Sequence, residues 1–149
     1  GNWYATRFDQ RHNLKVAGFY DLTKRVSLSA NFSFMSGTPT TFPTDRYMSA
    51  GYVIPYVSGS ERNNFRLPNY HRLDASLTIN NVWRGKKNRS GNDHIVFSVY
   101  NLYARKNPFS IYFSQGRDRQ MADAPQQTAA KQLSLIGTLI PAVTYNFKF

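Results

Sequence analysis

The sequence feature that most constrains the fold is an alternation, at every second position, between bulky apolar and polar side chains. Its cleanest stretch places serine or asparagine between five apolar residues, Val26, Leu28, Ala30, Phe32 and Phe34. A period of two is typical of β-strands with two different faces. Since no part of the chain has a helical pattern that would cover these apolar faces, the alternation favours strands with lipid on one side and water on the other.

The alternation divides the chain into five predicted strands. We expect them at about 12–22, 26–36, 70–81, 94–115 and 132–149. The first two strands are joined by a short polar turn and predict an antiparallel hairpin. Each of these two is long enough to cross a bilayer at a tilt, which takes about 9–11 residues.

Two long connections, 37–69 and 116–131, separate the later strands. The first is rich in proline, which prevents continuous strand pairing. Outer-membrane barrels have short turns on the periplasmic side and long loops outside. We therefore expect the connections 23–25 and 82–93 on the periplasmic side and both long loops on the outer side.

The predicted fold class is all-β, an antiparallel transmembrane β-barrel. Five strands are too few to close a barrel, since about eight is the practical minimum. An open sheet with two free edges and a lipid-facing side is unstable by itself. We therefore expect the chain to supply about five C-terminal strands of a larger barrel, without a plug domain.

Composition narrows the classes of function. The absence of cysteine excludes disulfides, zinc fingers and thiol enzymes. Three histidines and eight acidic residues, with no motif that joins a nucleophile to a base, predict no enzyme activity, no metal and no cofactor.

The formal charge of +11 raises nucleic acid or an anionic membrane surface as a partner. The aromatic residues share a face with aliphatic ones, which fits lipid better than stacked bases, so no nucleic-acid partner is expected. A soluble basic β-protein that binds nucleic acid remains an alternative.

Four short motifs occur in order along the chain: DQRH at 9–12, YHRLD at 70–74, YNLYARKNPF at 100–109 and IPAVTYNFKF at 140–149. Together they resemble the C-terminal barrel end of Bacteroidetes-type TonB-dependent outer-membrane receptors, the SusC-like and carboxypeptidase-regulatory-like group. The resemblance implies a barrel of about 22 strands around a plug, located in the bacterial outer membrane. It also implies uptake of a nutrient such as a glycan, peptide or siderophore.

The same resemblance implies a set of partners. They are outer-membrane lipid, the remainder of the barrel and its plug, TonB, the barrel assembly machinery and a surface lipoprotein. A barrel of the same family that does not transport, and serves as a structural or assembly component of an outer-membrane complex, remains open as an alternative.

Two candidate sites lie on the predicted strands. Arg72 and Asp74 are two residues apart on one face and predict an ion pair in the barrel lumen. Tyr145, Phe147 and Phe149 resemble the signal that the barrel assembly machinery recognises, because an exposed edge strand can be templated by another edge. The alternative for these aromatic residues is an interfacial girdle that only packs against lipid.

A third candidate site lies in the loop 37–69. Its residues are Tyr47, Tyr52, Tyr56, Arg62 and Arg66. Aromatic rings and forked guanidinium groups suit recognition of a sugar, peptide or siderophore. The alternative is that these residues pack the loop on itself, on neighbouring loops or at the membrane interface.

Overall fold

The structure is a computed structural model that describes residues 3–50, 52–59, 61–82, 93–115 and 128–147. The described residues form β-strands and no helix. The strands are β1 (Asn13–Asp21), β2 (Val26–Met35), β3 (Pro39–Thr40), β4 (Asp45–Ser49), β5 (Tyr52–Tyr56), β6 (Phe65–Arg66), β7 (Tyr70–Asn80), β8 (His94–Tyr100), β9 (Ser110–Gln115), β10 (Thr128–Leu133) and β11 (Ile140–Asn146). The all-β class expected from the alternation is confirmed.

The chain divides into two compact units. The first unit comprises residues 1–12, 36–69 and 107–135. The second comprises residues 13–35, 70–106 and 136–149. The motifs at 9–12 and 70–74 therefore belong to different units, and each unit is described by itself below.

The second unit contains a five-stranded sheet in the order β1-β2-β7-β8-β11. Every neighbouring pair in this order is antiparallel. The expected antiparallel architecture is thus confirmed. Strands β1 and β11 are the two edges of the sheet, so these five strands form an open sheet and no closed barrel.

The register of this sheet collects the alternating apolar residues on one surface. Val16 lies opposite Phe32, which lies opposite Leu73, and Phe97 lies opposite Val143. Because side chains alternate between the two faces of a strand, this pairing extends the apolar row across all five strands. We call this surface the apolar face; it comprises Leu14, Val16, Gly18, Tyr20, Val26, Leu28, Ala30, Phe32, Phe34, His71, Leu73, Ala75, Leu77, Ile79, Ile95, Phe97, Val99, Pro141, Val143 and Tyr145.

The opposite surface of the sheet, the polar face, carries mostly small and polar side chains. It includes Lys15, Asp21, Ser27, Ser29, Asn31, Ser33, Arg72, Asp74, Ser76, Thr78, Ser98, Tyr100 and Thr144. The large apolar exceptions on this face are Phe19, Met35, Val96 and Ile140, of which Phe19 is 83% exposed. The two faces therefore differ in chemistry along the full width of the sheet.

None of the residues of the apolar face is buried. Val16 is 52% exposed and Val143 is 67% exposed. The edge strands β1 and β11 are exposed at every position. Within the described part of the chain, the apolar face is therefore not covered by a second protein layer.

The first unit contains three two-stranded sheets, β3–β6, β4–β5 and β9–β10. The loop 37–69, in which the prolines predicted no continuous pairing, is thus a nested pair of short hairpins. Its outer pair, β3 and β6, has two residues in each strand, and its inner pair, β4 and β5, has five in each. The pairing is interrupted as expected, although it is more extensive than a structureless loop.

Glycine is required at the base of this loop. The Leu67 N–H donates to the Thr38 carbonyl at 3.0 Å, which draws the two chain segments together. A Cβ atom on Gly37 would lie 1.6 Å from the Leu67 carbonyl oxygen. Since no side chain fits that space, only glycine permits this close approach of the backbones.

The strand expected over 94–115 is divided, because β8 ends at Tyr100 and β9 begins at Ser110 in the other unit. Asn101 and Ala104 have φ angles of 56° and 52°, which lie in the left-handed region and end the extended pairing. The Asn107-Pro108 pair predicts an interruption of this stretch, close to the observed one. The alternation alone does not show it, because Phe109 has the same odd-numbered parity as the apolar residues of β8.

The strand expected over 132–149 is also divided, between β10 and β11. Residues 128–131 of the expected loop 116–131 belong to β10. The remainder of that loop, 116–127, lies outside the described residues, as do 83–92 of the expected turn 82–93.

Candidate functional site

An ion pair between Arg72 and Asp74 forms the centre of the polar face. Arg72 Nη2 lies 2.8 Å from Asp74 Oδ2, and Arg72 Nε donates to the same oxygen at 3.0 Å. Both side chains are about a quarter exposed, at 23% and 24%. Two contacts in a half-buried setting hold the pair more firmly than a single contact between fully solvated charges.

Two tyrosine hydroxyls complete the surroundings of the guanidinium group. Arg72 Nη1 donates to the Tyr70 hydroxyl at 3.1 Å and to the Tyr100 hydroxyl at 2.5 Å. The central carbon of the guanidinium also lies 4.0 Å from the centroid of the Tyr100 ring. Neighbours on β7 and β8 therefore fix the orientation of Arg72 on this face of the sheet.

A shallow cavity of about 260 Å³ opens on the polar face beside this ion pair. Its lining residues are Ser29, Asn31, Asp74, Ala75, Ser76, Ser98, Val99 and Tyr100. The Ser29 and Ser76 hydroxyls contact each other at 2.6 Å across β2 and β7. Hydroxyl and amide groups of this kind exchange hydrogen bonds readily with water or a polar solute.

Asn101 is a buried polar residue that the sequence analysis did not identify. It is 1% exposed, and its backbone N–H donates to Asp74 Oδ1 at 3.0 Å. Its Nδ2 donates to the carbonyls of Arg105 and Thr138 at 3.1 and 3.2 Å, and its Oδ1 accepts from the Arg105 N–H at 3.1 Å. Asn101 therefore joins the turn after β8, the segment before β11 and the ion pair on β7.

A sequence signal for Asn101 did exist. Asparagine tolerates the left-handed conformation better than most residues, and here it directly follows a strand of clean alternation. This signal lies within the motif YNLYARKNPF and is independent of the family resemblance of that motif.

His71 is the polar exception on the apolar face. Its Nδ1 lies 2.7 Å from the Tyr103 hydroxyl, and the two rings have centroids 5.6 Å apart. The Phe32 ring lies 6.4 Å from the imidazole on the other side. Burial raises the pKa of the Tyr103 hydroxyl, against the opposing effect of the nearby Arg105 charge, so this hydroxyl keeps its proton at neutral pH.

The hairpin β4–β5 places Tyr47 and Tyr56, two of the predicted tyrosines of the loop, on one side by register. Tyr47 lies opposite Ile54, Asp45 opposite Tyr56, and Ser49 opposite Tyr52. The Tyr47 and Tyr56 rings meet edge to face, with centroids 5.6 Å apart. These two rings are 50% and 43% exposed, so the hairpin presents an aromatic surface.

The two predicted arginines of this loop lie in different settings. Arg66 forms an ion pair with the Asp9 carboxylate and donates from Nη1 to the carbonyls of Asp9 and Gly37 at 2.9 and 3.1 Å. It therefore fastens the base of the loop to the preceding segment of the first unit. Arg62 is exposed in the connection between β5 and β6. The structure thus does not bring the five predicted loop residues into one cluster.

The predicted assembly residues lie at the β11 edge of the sheet. The Tyr145 and Phe147 rings stack with centroids 5.7 Å apart, and they are 43% and 55% exposed. Phe149 lies outside the described residues. An exposed aromatic pair beside a free strand edge has the chemistry that both the assembly signal and the interfacial girdle require.

The described residues include no group of three or more His, Asp or Glu side chains that could hold a metal ion. They also include no helix with the length and hydropathy needed to cross a membrane. No protein-family model, curated protein or solved structure matches the chain.

Proposed function

We propose that this chain forms part of the wall of a transmembrane β-barrel in the bacterial outer membrane. The observation that carries the proposal is the apolar face, which crosses all five strands of the large sheet, is covered by none of the described residues and lies opposite a polar face. A wall between lipid and a water-filled lumen needs these two chemistries on the two sides of every strand.

The cost of leaving the apolar face in water supports this proposal. Seven of its large side chains are at least 40% exposed: Leu14, Val16, Tyr20, Leu28, Phe97, Val143 and Tyr145. Fully burying one such side chain stabilises a protein by about 1.5–3 kcal/mol, so leaving half of each exposed forfeits about 7 kcal/mol in all. Since a whole domain is stable by only about 5–15 kcal/mol, this face needs apolar cover, which the acyl chains of a membrane would supply.

Strand length and free edges support a barrel in a membrane over a protein partner. Three of the five strands, β1, β2 and β7, have 9, 10 and 11 residues, which match the roughly 9–11 that a tilted membrane strand needs, whereas β8 and β11 have seven each. Both edges of the sheet are free to pair with further strands. In lipid, such edges must be closed by neighbouring strands, so the proposal places further strands on both sides.

The receptor function is a second step of the proposal and rests on the motifs. We propose that the barrel belongs to a TonB-dependent receptor that takes up a nutrient such as a glycan, peptide or siderophore. Its outer loops would capture the nutrient, and TonB would displace the plug from the periplasmic side. The exposed aromatic surface of the hairpin β4–β5 supports a loop that contacts a ligand or a surface lipoprotein.

A matched pair of substitutions in the intact polypeptide tests the wall. Ala30 lies mid-strand on the apolar face, and its neighbour Asn31 lies on the polar face. An arginine at a lipid-facing midplane position costs about 2–4 kcal/mol, whereas lumen positions tolerate charge. We therefore expect Ala30→Arg, but not Asn31→Arg, to reduce the folded, heat-modifiable protein in the outer-membrane fraction. Equal yields from the two variants would contradict the proposed wall.

The receptor step is tested separately by deleting the gene for the intact polypeptide in its native cells. We expect growth on one class of nutrient to be lost, and loss of TonB to produce the same defect. Growth that stays unchanged across a panel of nutrients in the deletion strain would refute transport while leaving the wall intact.

A further inference from the structure

We propose that His71, Tyr103 and Arg105 form a binding site for the phosphate group of an anionic membrane lipid at one rim of the apolar face. This inference rests on the proposed membrane position of the large sheet. It concerns a polar cluster on an otherwise apolar surface, which the barrel wall alone does not explain.

The first argument is location. His71 belongs to the apolar face and lies four residues from Ala75, the midpoint of β7. Four residues of a strand span about 13 Å, or about 10 Å along the membrane normal at a typical tilt. The apolar band of an outer-membrane barrel is about 25 Å tall, so its edge lies about 12 Å from the midplane. His71 therefore falls near the boundary between acyl chains and headgroups.

The second argument is geometry. The turn after β8 runs beside the first residues of β7, because the Leu102 N–H donates to the Leu73 carbonyl at 2.8 Å. This turn brings the Tyr103 hydroxyl to 2.7 Å from His71 Nδ1. Asn101 fixes the turn by bonding both the N–H and the carbonyl of Arg105. The backbone of the cluster is thus held in place by a buried residue.

The third argument is chemistry. An imidazole Nδ1–H that donates to the Tyr103 oxygen leaves the phenol hydrogen to donate to a phosphate oxygen. The Tyr103 hydroxyl carries its proton at neutral pH, as an ordinary phenol does, and burial raises its pKa further. The permanent positive charge of Arg105 lies close enough to act on both the His71 imidazole and the Tyr103 phenol, and its planar fork suits phosphate.

The occupant is a lipid and not a free anion because apolar surface surrounds the cluster. Phe32 lies beside the imidazole, and Leu102 and Tyr103 are each 42% exposed at the same rim. Acyl chains that lie on this surface would bring their own headgroup phosphate to the cluster. A soluble phosphate ion would gain nothing from these apolar neighbours.

The test uses the intact polypeptide in mixed micelles and native mass spectrometry to count bound lipids. The probes are phosphatidylglycerol, phosphatidylcholine with the same chains, and inorganic phosphate. We expect Arg105→Gln to weaken the tightest phosphatidylglycerol site about tenfold and Tyr103→Phe to weaken it about threefold, with little change for phosphatidylcholine. Lys24→Gln is the control. It removes an equal charge from the turn before Val26, whereas the cluster lies near Phe34 at the other end of β2.

The possible results separate this site from the wall itself. An equal loss in Lys24→Gln would refute a specific site, and so would unchanged binding in both cluster variants. Displacement of phosphatidylglycerol by millimolar inorganic phosphate would refute the lipid as occupant. If the apolar face proves inaccessible to lipid, the proposed wall fails as well, whereas a lipid-exposed face without the tenfold effect overturns only this inference.

Discussion

Replacement of Asn101 by alanine should be one of the most destabilising single changes in the second unit. The variant loses three hydrogen bonds of the buried amide, at 3.1, 3.2 and 3.1 Å, each worth about 1 kcal/mol. Holding alanine at the left-handed φ of 56° costs about 1 kcal/mol more. The expected loss in the free energy of unfolding is therefore about 4 kcal/mol.

A matched control separates the amide from the backbone conformation. Asn81 has the same φ of 56°, and its side chain is only half-buried. Asn81→Ala should therefore cost about 1 kcal/mol, from the backbone conformation alone. The difference of about 3 kcal/mol between the variants corresponds to more than a hundredfold in the ratio of folded to unfolded protein.

The assay is guanidinium unfolding of the intact polypeptide in detergent, followed by tryptophan fluorescence. The midpoint guanidinium concentrations are compared only where wild type and variant have the same slope of unfolding free energy against guanidinium concentration. A changed slope signals a changed native or denatured state. A loss of 1 kcal/mol or less in Asn101→Ala, equal to the loss in Asn81→Ala, would refute the assigned role of the buried amide.

Three further changes test other contacts. Gly37→Ala should open the base of the loop, at a cost on the order of 3 kcal/mol, and limited proteolysis should then cleave within 38–66; an unchanged cleavage pattern would contradict the close backbone approach. Asp9→Asn removes the partner of the partly exposed Arg66, so hydrogen exchange near that arginine should accelerate about fivefold, and equal rates would argue against the pair. A double-mutant cycle of Ser29→Ala and Ser76→Ala should give a coupling of about 0.5–1 kcal/mol, whereas strict additivity would exclude the hydroxyl contact.

The large sheet was accessible to sequence reasoning because its signal is local. Each strand alternates with period two, and one face must be apolar along all of them, so the positions of the first three strands follow closely from the pattern. The turn before Val26 and the clean row from Val26 to Phe34 both appear in the structure at the expected residues. The position of Arg72 and Asp74 on one face of β7, where they form an ion pair, follows from the same parity.

The parity of the apolar residues does not show where the later strands end, although the Asn107-Pro108 pair predicts an interruption between β8 and β9. Residues on both sides of the turn at Asn101 keep odd-numbered apolar positions, although left-handed residues interrupt the extended backbone between them. What ends β8 is a set of contacts with Asp74, Arg105 and Thr138, which no local pattern contains.

The nested hairpins of the loop 37–69 also depend on distant contacts. Proline density correctly predicts that pairing is interrupted, but it does not predict which short segments pair across the gaps. The ion pair between Asp9 and Arg66 joins residues 57 positions apart in the sequence. Arg66 is therefore a predicted ligand residue whose actual partner, Asp9, no local pattern indicates.

Site-directed fluorescence along β2 tests the central claim most directly. Single cysteines are introduced at consecutive positions 27–34 of the intact polypeptide, since these 149 residues contain no cysteine of their own. Each is labelled with an environment-sensitive dye in lipid vesicles that carry a quencher on the acyl chains. We expect strong quenching and blue-shifted emission at 28, 30, 32 and 34, and weak quenching at the odd positions between them. Uniform quenching along the strand, or even-numbered positions shielded from the acyl-chain quencher, would contradict a wall with lipid on one side and water on the other.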